Sequence, residues 1–540
     1  MASTFFGLET AKRGMVTQQS ALYVTGHNIA NANTEGYTRQ RVNFSTTTPY
    51  AVPGLNRPNT TGQLGTGVEA GSIQRVRDSF ADLQYRTQNN KLGYYGVISE
   101  SLTKMEEVMN EPSDSGLQKT MDEFWNALQT LTANPENSGA RSVVASTGQM
   151  VADTFNYYYD SLTAIQDDIG NQIDVTVDEI NTIIDSINQL NKQISEVEPH
   201  GMLPNDLYDA RDVLVDQLSN LVNIQVERVV PTQYGMASAQ AEGLYNIEMI
   251  KADGSSYGTP INLLEVTGTG IGTVKYLGTT TAVKDGISYV NVVGVKDVPD
   301  KNAALTALSD FNFGGELAGL IDSYGYQGAN GTVGYYPDMF TNLNNMAKAF
   351  ADEFNRIHAD GYALNETKTE RDAIDVKDRH FFEYTAGEEA KSLAVLAAII
   401  NNSDSLRAGK DNGDTGNNEN IQRLANLKTK SFGEYGLNAD GSGTKTTLPS
   451  SLNGNLDSFY SGIIGSLGVD SQSAQKNLAN ATTIAASVEQ RRQSTSSVSL
   501  DEEMVNMISF QHAYNASARM ITVVDETLDK IINGMGVVGR

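Results

Sequence analysis

Leu8, Met15, Leu22 and Ile29 recur every seven residues near the start of the chain, and Leu500, Met507, Tyr514, Ile521 and Leu528 do so near its end. Apolar residues at this interval make a narrow seam along one side of a helix, and such a seam needs a partner along its length. In the second stripe Phe510, Val524 and Ile531 each follow three residues later, whereas in the first the intervening positions are Ala11, Gln18 and Thr25. A helix over residues 500 to 533 would be roughly 50 Å long at a rise of about 1.5 Å per residue. Helices of that length stay ordered through packing along their whole span. The two ends also differ in charge. Residues 1 to 57 carry five basic side chains against two acidic ones, a net of +3, and residues 500 to 540 carry six acidic against three basic, a net of −3. Either stripe alone would suit an ordinary helix on a local core; two stripes of opposite charge predict that the ends pack together.

At 540 residues the chain exceeds one ordinary core, and about 150 residues per domain suggests three or four units. The net charge of −26 and pI near 4.6 argue against nucleic acid and anionic membrane surfaces, which need basic patches to release counterions. With no cysteine, disulfides, thiolate metal sites and cysteine nucleophiles are excluded together. The first thirty residues lack a signal peptide's continuous apolar core, being interrupted by Glu9, Lys12, Arg13, Gln18 and Gln19, and the longest apolar run spans only 393–400. A membrane-spanning helix needs roughly 20 such residues, so no membrane insertion is expected, and export would use a route that reads no cleavable signal.

From about 78 to 230 the pattern is helical. Leu117, Met121, Phe124, Leu128 and Leu131 form one stripe, and Ile173, Ile180, Ile187 and Ile194 another, with Asp174, Asp178 and Glu179 on the opposite, solvated face. "ANPENSG" at 133–139 and "EPHGMLPND" at 198–206 separate the helices. Beyond Val230, short alternating runs such as "LYNIEMI" and "ISYVNVVGV" are divided by "ADGSSYG", "GTGIG" and "KDG", which predicts an all-β domain over 231–334. Helix returns at "PDMFTNLNNMAKAFADEFNRIH", with Pro337 in a first-turn position. Residues 404–454 read as loops with a short helix or two, and helix resumes near 471, interrupted at "RQSTSSVS". The predicted fold class is mainly α with an inserted all-β domain, built from paired terminal coiled-coil helices plus a helical bundle. Residues 1–70 and 485–540 would form an assembly core with a β-like arm, 71–230 and 335–484 a helical bundle domain, and 231–334 the insertion.

Sites for chemistry are scarce. The one G-x-S-x-G, Gly254 to Gly258 around Ser256, precedes "TPINLLEV", whereas a nucleophile elbow needs a strand-to-helix turn; it reads as a hairpin turn. "DNGDTGNNENIQ" from Asp411 has Gly416 at the sixth place of a calcium loop, but Gly413 at the third and Gln422 at the twelfth, where a bidentate glutamate belongs. The glycine clusters "GTGIG" and "GTGV" give no full dinucleotide fingerprint. His27, His200, His358, His380 and His512 are scattered. No catalytic, cofactor-binding or metal-binding residue is nominated, and no enzyme is expected. What remains is "NIANANTEGYTRQRVNF" at 28–44, where Asn28, Asn31, Asn33, Gly36, Tyr37 and Arg39 concentrate turn chemistry close to the terminus. Asparagine tolerates the left-handed backbone that ends a helix, so this motif is expected to stop the first helix and turn the chain into the arm.

"GLETAKRGMVTQQSALYVTGHNIANANTEGYTRQRVNF" resembles the amino-terminal signature of the bacterial flagellar rod, hook and hook-associated proteins, and "SVSLDEEMVNMISFQHAYNASARMITVVDETLDKIINGM" is similar to their carboxy-terminal one. The turn Gly36-Tyr37-Thr38-Arg39-Gln40, the form "SVSLDEE", and the segments "LGTGVEAGSIQRVRDSFADLQYR" and "NDLYDARDVLVDQLSNLV" resemble the hook-associated branch. The resemblance implies a structural component of the flagellum that forms the junction between hook and filament through its terminal helices. It further implies export through the flagellar type III apparatus and an extracellular place in the flagellum. The implied partners are copies of itself, the hook protein, the next hook-associated protein (the filament adaptor) and an export chaperone on the carboxy-terminal segment. The alternatives are the hook or another axial protein of the family, or an extracellular enzyme with its site in the β insertion.

Overall fold

The computed structural model describes residues 5–534 except 51–61, 112, 114–115, 233, 267–271, 301–302, 309, 330 and 439–441, so most of the "GTGIG" cluster lies outside the described residues. The helices are α1 (Phe6–Ala30), α2 (Ser79–Met109), α3 (Leu117–Ala133), α4 (Ser138–Val197), α5 (Asn205–Leu221), α6 (Glu316–Tyr324), α7 (Tyr335–Asp360), α8 (Lys368–Ala373), α9 (Glu389–Ser392), α10 (Ala397–Asn401), α11 (Glu419–Ala425), α12 (Leu456–Ser496) and α13 (Leu500–Gly534). The strands are β1 (Gln40–Thr46), β2 (Val68–Arg75), β3 (Ile224–Val229), β4 (Leu244–Ile250), β5 (Ser256–Val266), β6 (Gly272–Val274), β7 (Tyr276–Lys284), β8 (Ile287–Lys296), β9 (Thr306–Ala307), β10 (Tyr326–Gly328), β11 (Gly331–Val333), β12 (Phe382–Glu383) and β13 (Ala394–Val395). The chain is thus mainly helical with small separate sheets. No helix among the described residues is long and apolar enough to cross a membrane.

The chain divides into two compact units, Met1–Asn90 with Ile180–Lys275 and Thr482–Arg540, and Lys91–Glu179 with Tyr276–Ala481. In the first, α1 and α13 run antiparallel, with Gly7 against Val524 and Gly14 against Ser517. β1 and β2 form an antiparallel hairpin from Gln40 opposite Arg75 to Thr46 opposite Val68, with an irregularity between Asn43 and Phe44. The strands β3-β4-β5-β6 form an antiparallel sheet. Its Leu244 and Val266 pack with Ile194 of α4 and Tyr208 of α5 in an apolar cluster.

The second unit is held by aromatic packing. Phe124 and Trp125 of α3 meet Phe350 of α7 with ring centroids 6.2 and 5.9 Å apart. Phe354, Phe381 and Phe382 complete the cluster, and offset or edge-on rings at these distances add to area burial. Gln166 of α4 donates to the carbonyls of Ser288 and Tyr324, which fastens the sheet β11-β10-β8-β7. The stripe from Leu117 to Leu131 is buried, as are Ile173, Ile180, Ile187 and Ile194, and the charged face of α4 at Asp174, Asp178 and Glu179 is exposed.

Three expectations are corrected. The strand-rich stretch 231–334 is not one inserted body: β4–β6 join β3, which begins at Ile224, in the first unit, and β7–β11 belong to the second. The division falls at Lys275 and Tyr276. Lys275 donates its N–H to Leu263 of one sheet, and Tyr276 pairs with Lys296 of the other. Without a linker, composition gives no boundary signal. The stretch also contains α6, whose Leu317, Leu320 and Ile321 are buried at helical spacing between Gly315 and Gly325. Finally, α12 starts at Leu456, not near 471. Leu456, Tyr460, Ile463 and Leu467 bury one face, and that packing overrides the poor helix propensity of Gly462, Gly465 and Gly468.

Candidate assembly interface

The candidate residues gather in the first unit. Leu8, Met15, Leu22 and Ile29 are half-buried on α1, and Met507, Tyr514, Ile521 and Leu528 are half-buried on the side of α13 where Glu503, Ser517 and Val524 meet α1. Leu500 differs: it stands at the first turn of α13, 48% exposed. Residues one position ahead of the expected stripe also face α13. Gly7 faces Val524, and a Cβ on Gly14 would lie 3.1 Å from the Ser517 hydroxyl. Asn28 donates to Glu503, and Ala21, seven residues before Asn28, is buried. The seven-residue recurrence of small residues at 7, 14 and 21 was the available signal; apolar periodicity alone misses it because glycine carries no side chain to score.

The turn motif ends α1 differently from expectation. Among the described non-glycine residues, positive φ occurs only at Asn110, Asp285 and Asn365, so Asn28, Asn31 and Asn33 do not adopt the left-handed backbone. Gly36 does, at φ 75°, and a Cβ there would sit 2.1 Å from Val213 Cγ2. Backbone strain and lack of space both demand glycine. Asn31 instead returns its side-chain amide to the His27 carbonyl at 3.1 Å, and Asn33 is exposed.

Asn28 is buried in the last turn of α1. Its amide nitrogen donates to the Gln40 carbonyl at 2.8 Å and to Glu503 Oε2 at 3.2 Å. Its oxygen accepts from Gln40 N–H at 3.0 Å and from the Tyr37 hydroxyl at 2.8 Å. Burial, aided by Asp206, Asp209 and Glu503, raises the Tyr37 phenol well above its usual range and keeps the hydroxyl a donor. Arg39 bonds Glu503 Oε1 and Glu502 Oε2, both at 2.8 Å, and its N–H donates to the Ser496 carbonyl at the end of α12. The motif thus joins the end of α1, the start of the hairpin and the start of α13.

The hairpin lies along both terminal helices. Val68 accepts from the Thr17 hydroxyl at 3.1 Å, and Phe44 meets Phe510 edge-to-face at 6.0 Å. At its base, Arg75 contacts Asp209 at 2.7 Å, Asp212 at 2.9 Å and Glu242 at 2.6 Å. Arg77 and Arg86 reach Asp212 at 3.0 and 3.3 Å, and Tyr245 of β4 donates to it at 3.0 Å. Burial alone would push the Asp212 carboxyl up, but Arg77, Arg75, Arg86 and Arg211 together hold it well below the usual carboxylate range. Asp209 moves the other way, raised by burial against the pull of Arg75. Arg492 of α12 joins Asp216 and lies over the Tyr85 ring at 4.1 Å. Sequence reading missed this network because its members, spread from 75 to 492, carry no common spacing.

Outside these contacts the terminal helices present apolar side chains to solvent: Met504, Val505, Ile508, Met520, Val523 and Ile532 on α13, and Phe5, Val16 and Tyr23 at or near α1. Ser256 opens strand β5, and no group of histidine and acidic side chains among the described residues is arranged to hold a metal. The arrangement has the form of a surface made to be covered.

Comparison with known proteins agrees with that form. Residues 8–38 match the family described as flagella basal body rod protein, and residues 489–534 match the flagellar basal body rod FlgEFG protein C-terminal family. Paired at the two ends of one chain, these define a flagellar structural protein. Residues 102–372 match the flagellar hook-associated protein FlgK helical domain. Flagellar hook-associated protein 1 of Bacillus subtilis is 42% identical over 549 residues, covering all of both chains. Its Escherichia coli counterpart is 24% identical over 585 residues, covering 97% of this chain and 99% of that one. The chain belongs to the flagellar hook-associated protein 1 family. The solved structure of the flagellar hook junction protein FlgK from Burkholderia pseudomallei shares the fold at a TM-score of 0.51 and 13% identity, covering 77% of this chain and all of that one.

Proposed function

We propose that this chain forms the junction between flagellar hook and filament, assembling with copies of itself head to tail through the outer faces of α1 and α13. One observation carries the reading: among the described residues of α13 only Glu503 is buried, while eight large apolar side chains stand in solvent. So much exposed apolar surface on one helix marks an interaction face. Its further partners are the hook protein below, the filament-adaptor protein above and, before assembly, an export chaperone holding the carboxy-terminal segment. Passage through the flagellar type III apparatus to an extracellular place completes the proposal. The half-burial of Ile521 against the side facing α1 makes it a poor probe of the outer face, so the test uses Ile508→Asp and Val523→Asp. Both should abolish assembly: cells make hooks but shed flagellin into the medium. Normal filaments on cells carrying both substitutions would sink the reading, and growth of long tubes from the purified chain alone would favour a hook protein instead.

A further inference from the structure

Three contacts of the α1/α13 pair share one register. Gly7 with Val524, Gly14 with Ser517 and Asn28 with Glu503 step by seven residues in opposite directions along the two helices, and the same register sets Ala21 opposite Phe510. A pair whose contact positions on one helix are Gly, Gly and Ala has little steric means of choosing between this alignment and one displaced by seven residues. Small residues accept any of Val524, Ser517 or Phe510, and the half-buried apolar stripes repeat at the same interval. A buried polar pair is the best-attested device for fixing register in such a seam.

We infer that Asn28, Glu503 and Arg39 fix the register of the terminal helix pair, and so decide which side chains of α13 are left facing outward. Asn28 and Glu503 are both buried. In the observed alignment every polar atom of the Asn28 amide has a partner, and Glu503 has two donors, the Asn28 amide and Arg39 Nε. Displaced by seven residues in one direction, the Glu503 carboxylate lies beside Ala21, which offers no side-chain donor. A buried carboxylate without a partner is strongly unfavourable, so the cluster excludes that alignment and the small-residue seam does not. Asn28 is itself anchored, since Gln40 N–H and C=O and the Tyr37 hydroxyl hold its amide in one orientation. These are positioning residues; the contact area is supplied by others.

The absence of native cysteine allows a direct test on the full chain. The pair Gly14→Cys with Ser517→Cys reports the native register, because a Cβ at 14 lies 3.8 Å from the Ser517 Cβ, within disulfide range. Gly14→Cys with Phe510→Cys and Gly14→Cys with Val524→Cys report the two displaced registers. With the cluster intact, oxidation should link only 14 with 517. Adding Asn28→Leu and Glu503→Leu should lower that yield at least tenfold and produce a displaced link. Glu503→Gln, which keeps an acceptor for the Asn28 amide, should retain the native link. Unchanged linking of 14 to 517 in the leucine variant would overturn the inference and pass the role to the Phe44–Phe510 contact. Loss of all three links there would also overturn it, because the cluster would then be holding the pair together, not selecting its alignment.

Discussion

Helices α7 and α13 are both long and amphipathic, yet they end in opposite situations. Seventeen of the 26 residues of α7 are buried; among the described residues of α13 only Glu503 is. The first is surrounded by its own unit, with Phe350 and Phe354 in the aromatic cluster and His358 sealed beneath Phe381. The second has α1 and the hairpin on one side, and among the described residues its other side carries exposed apolar side chains such as Val505, Ile508 and Val523. The difference teaches that an apolar stripe states how much surface a helix must hide, not whether its own chain hides it.

The sharpest attempt to break this comparison is Phe354→Ala, which should destabilise the second unit by about 3–5 kcal/mol through lost burial and the cavity left behind, read as a lowered urea midpoint. A loss under 1 kcal/mol would mean that α7 is no better packed than α13. Asp212→Ala tests whether the first unit holds without α13. It removes the fully buried carboxylate that Arg75, Arg77 and Arg86 share, leaving Arg75 with Asp209 and Glu242, Arg77 with Asp82 and Arg86 with Asp216, and the excess buried positive charge should cost about 3 kcal/mol, with an early unfolding step of the unit in chemical denaturation. If Asp212→Ala leaves that step in place, the stability of the unit resides in its terminal helices after all.

Acid supplies a smaller and graded effect. His358 donates Nδ1–H to the Arg379 carbonyl at 2.7 Å and accepts from Arg407 N–H at 3.1 Å; burial lowers its pKa from 6.5 to about 3. The folded pKa lies below the unfolded one, so the stabilising contribution is complete above pH 6.5 and drains away as pH falls towards 3, at about 1.4 kcal/mol per pH unit. Between pH 6 and pH 4.5 the parent chain should lose stability faster than His358→Gln; parallel curves would refute the assignment. The smallest expected effect belongs to α13. Ile508→Asp should change the stability of the dilute chain by no more than about 0.5 kcal/mol, and a larger drop would place Ile508 in a local core.

Sequence periodicity located α1, α3, α4, α7 and α13 because each has a stripe long enough to outlast its breakers. It placed the end of α1 correctly but for a partly wrong reason, since Gly36 turns the chain and Asn28 works by side-chain bonding. The split of the strand-rich stretch at Lys275 was hidden because consecutive residues of one extended run serve two sheets. The Asp212 network was hidden because long-range pairing leaves no local trace. Gly7 and Gly14, which face Val524 and Ser517 of α13, were invisible to an apolar pattern. Of the candidate residues, the half-buried stripe on each helix was legible, Leu500 apart; which neighbour each one touches was not.

One consequence concerns mechanical load. Tension applied to α13 along its axis would enter the chain chiefly at the helix's first turn, where Glu502 and Glu503 are tied to Arg39 and where the Ser496 carbonyl four residues before α13 holds the Arg39 N–H. These bonds, with Asn28 behind them, are strained together in shear, so none can part without loading the others. At the far end Gly7 lies against the Val524 side chain, an apolar contact, which slides under force. The pair is therefore built to yield from its distal end and to hold at its root, and a pulling experiment on α13 should show the distal turns separating before any force peak.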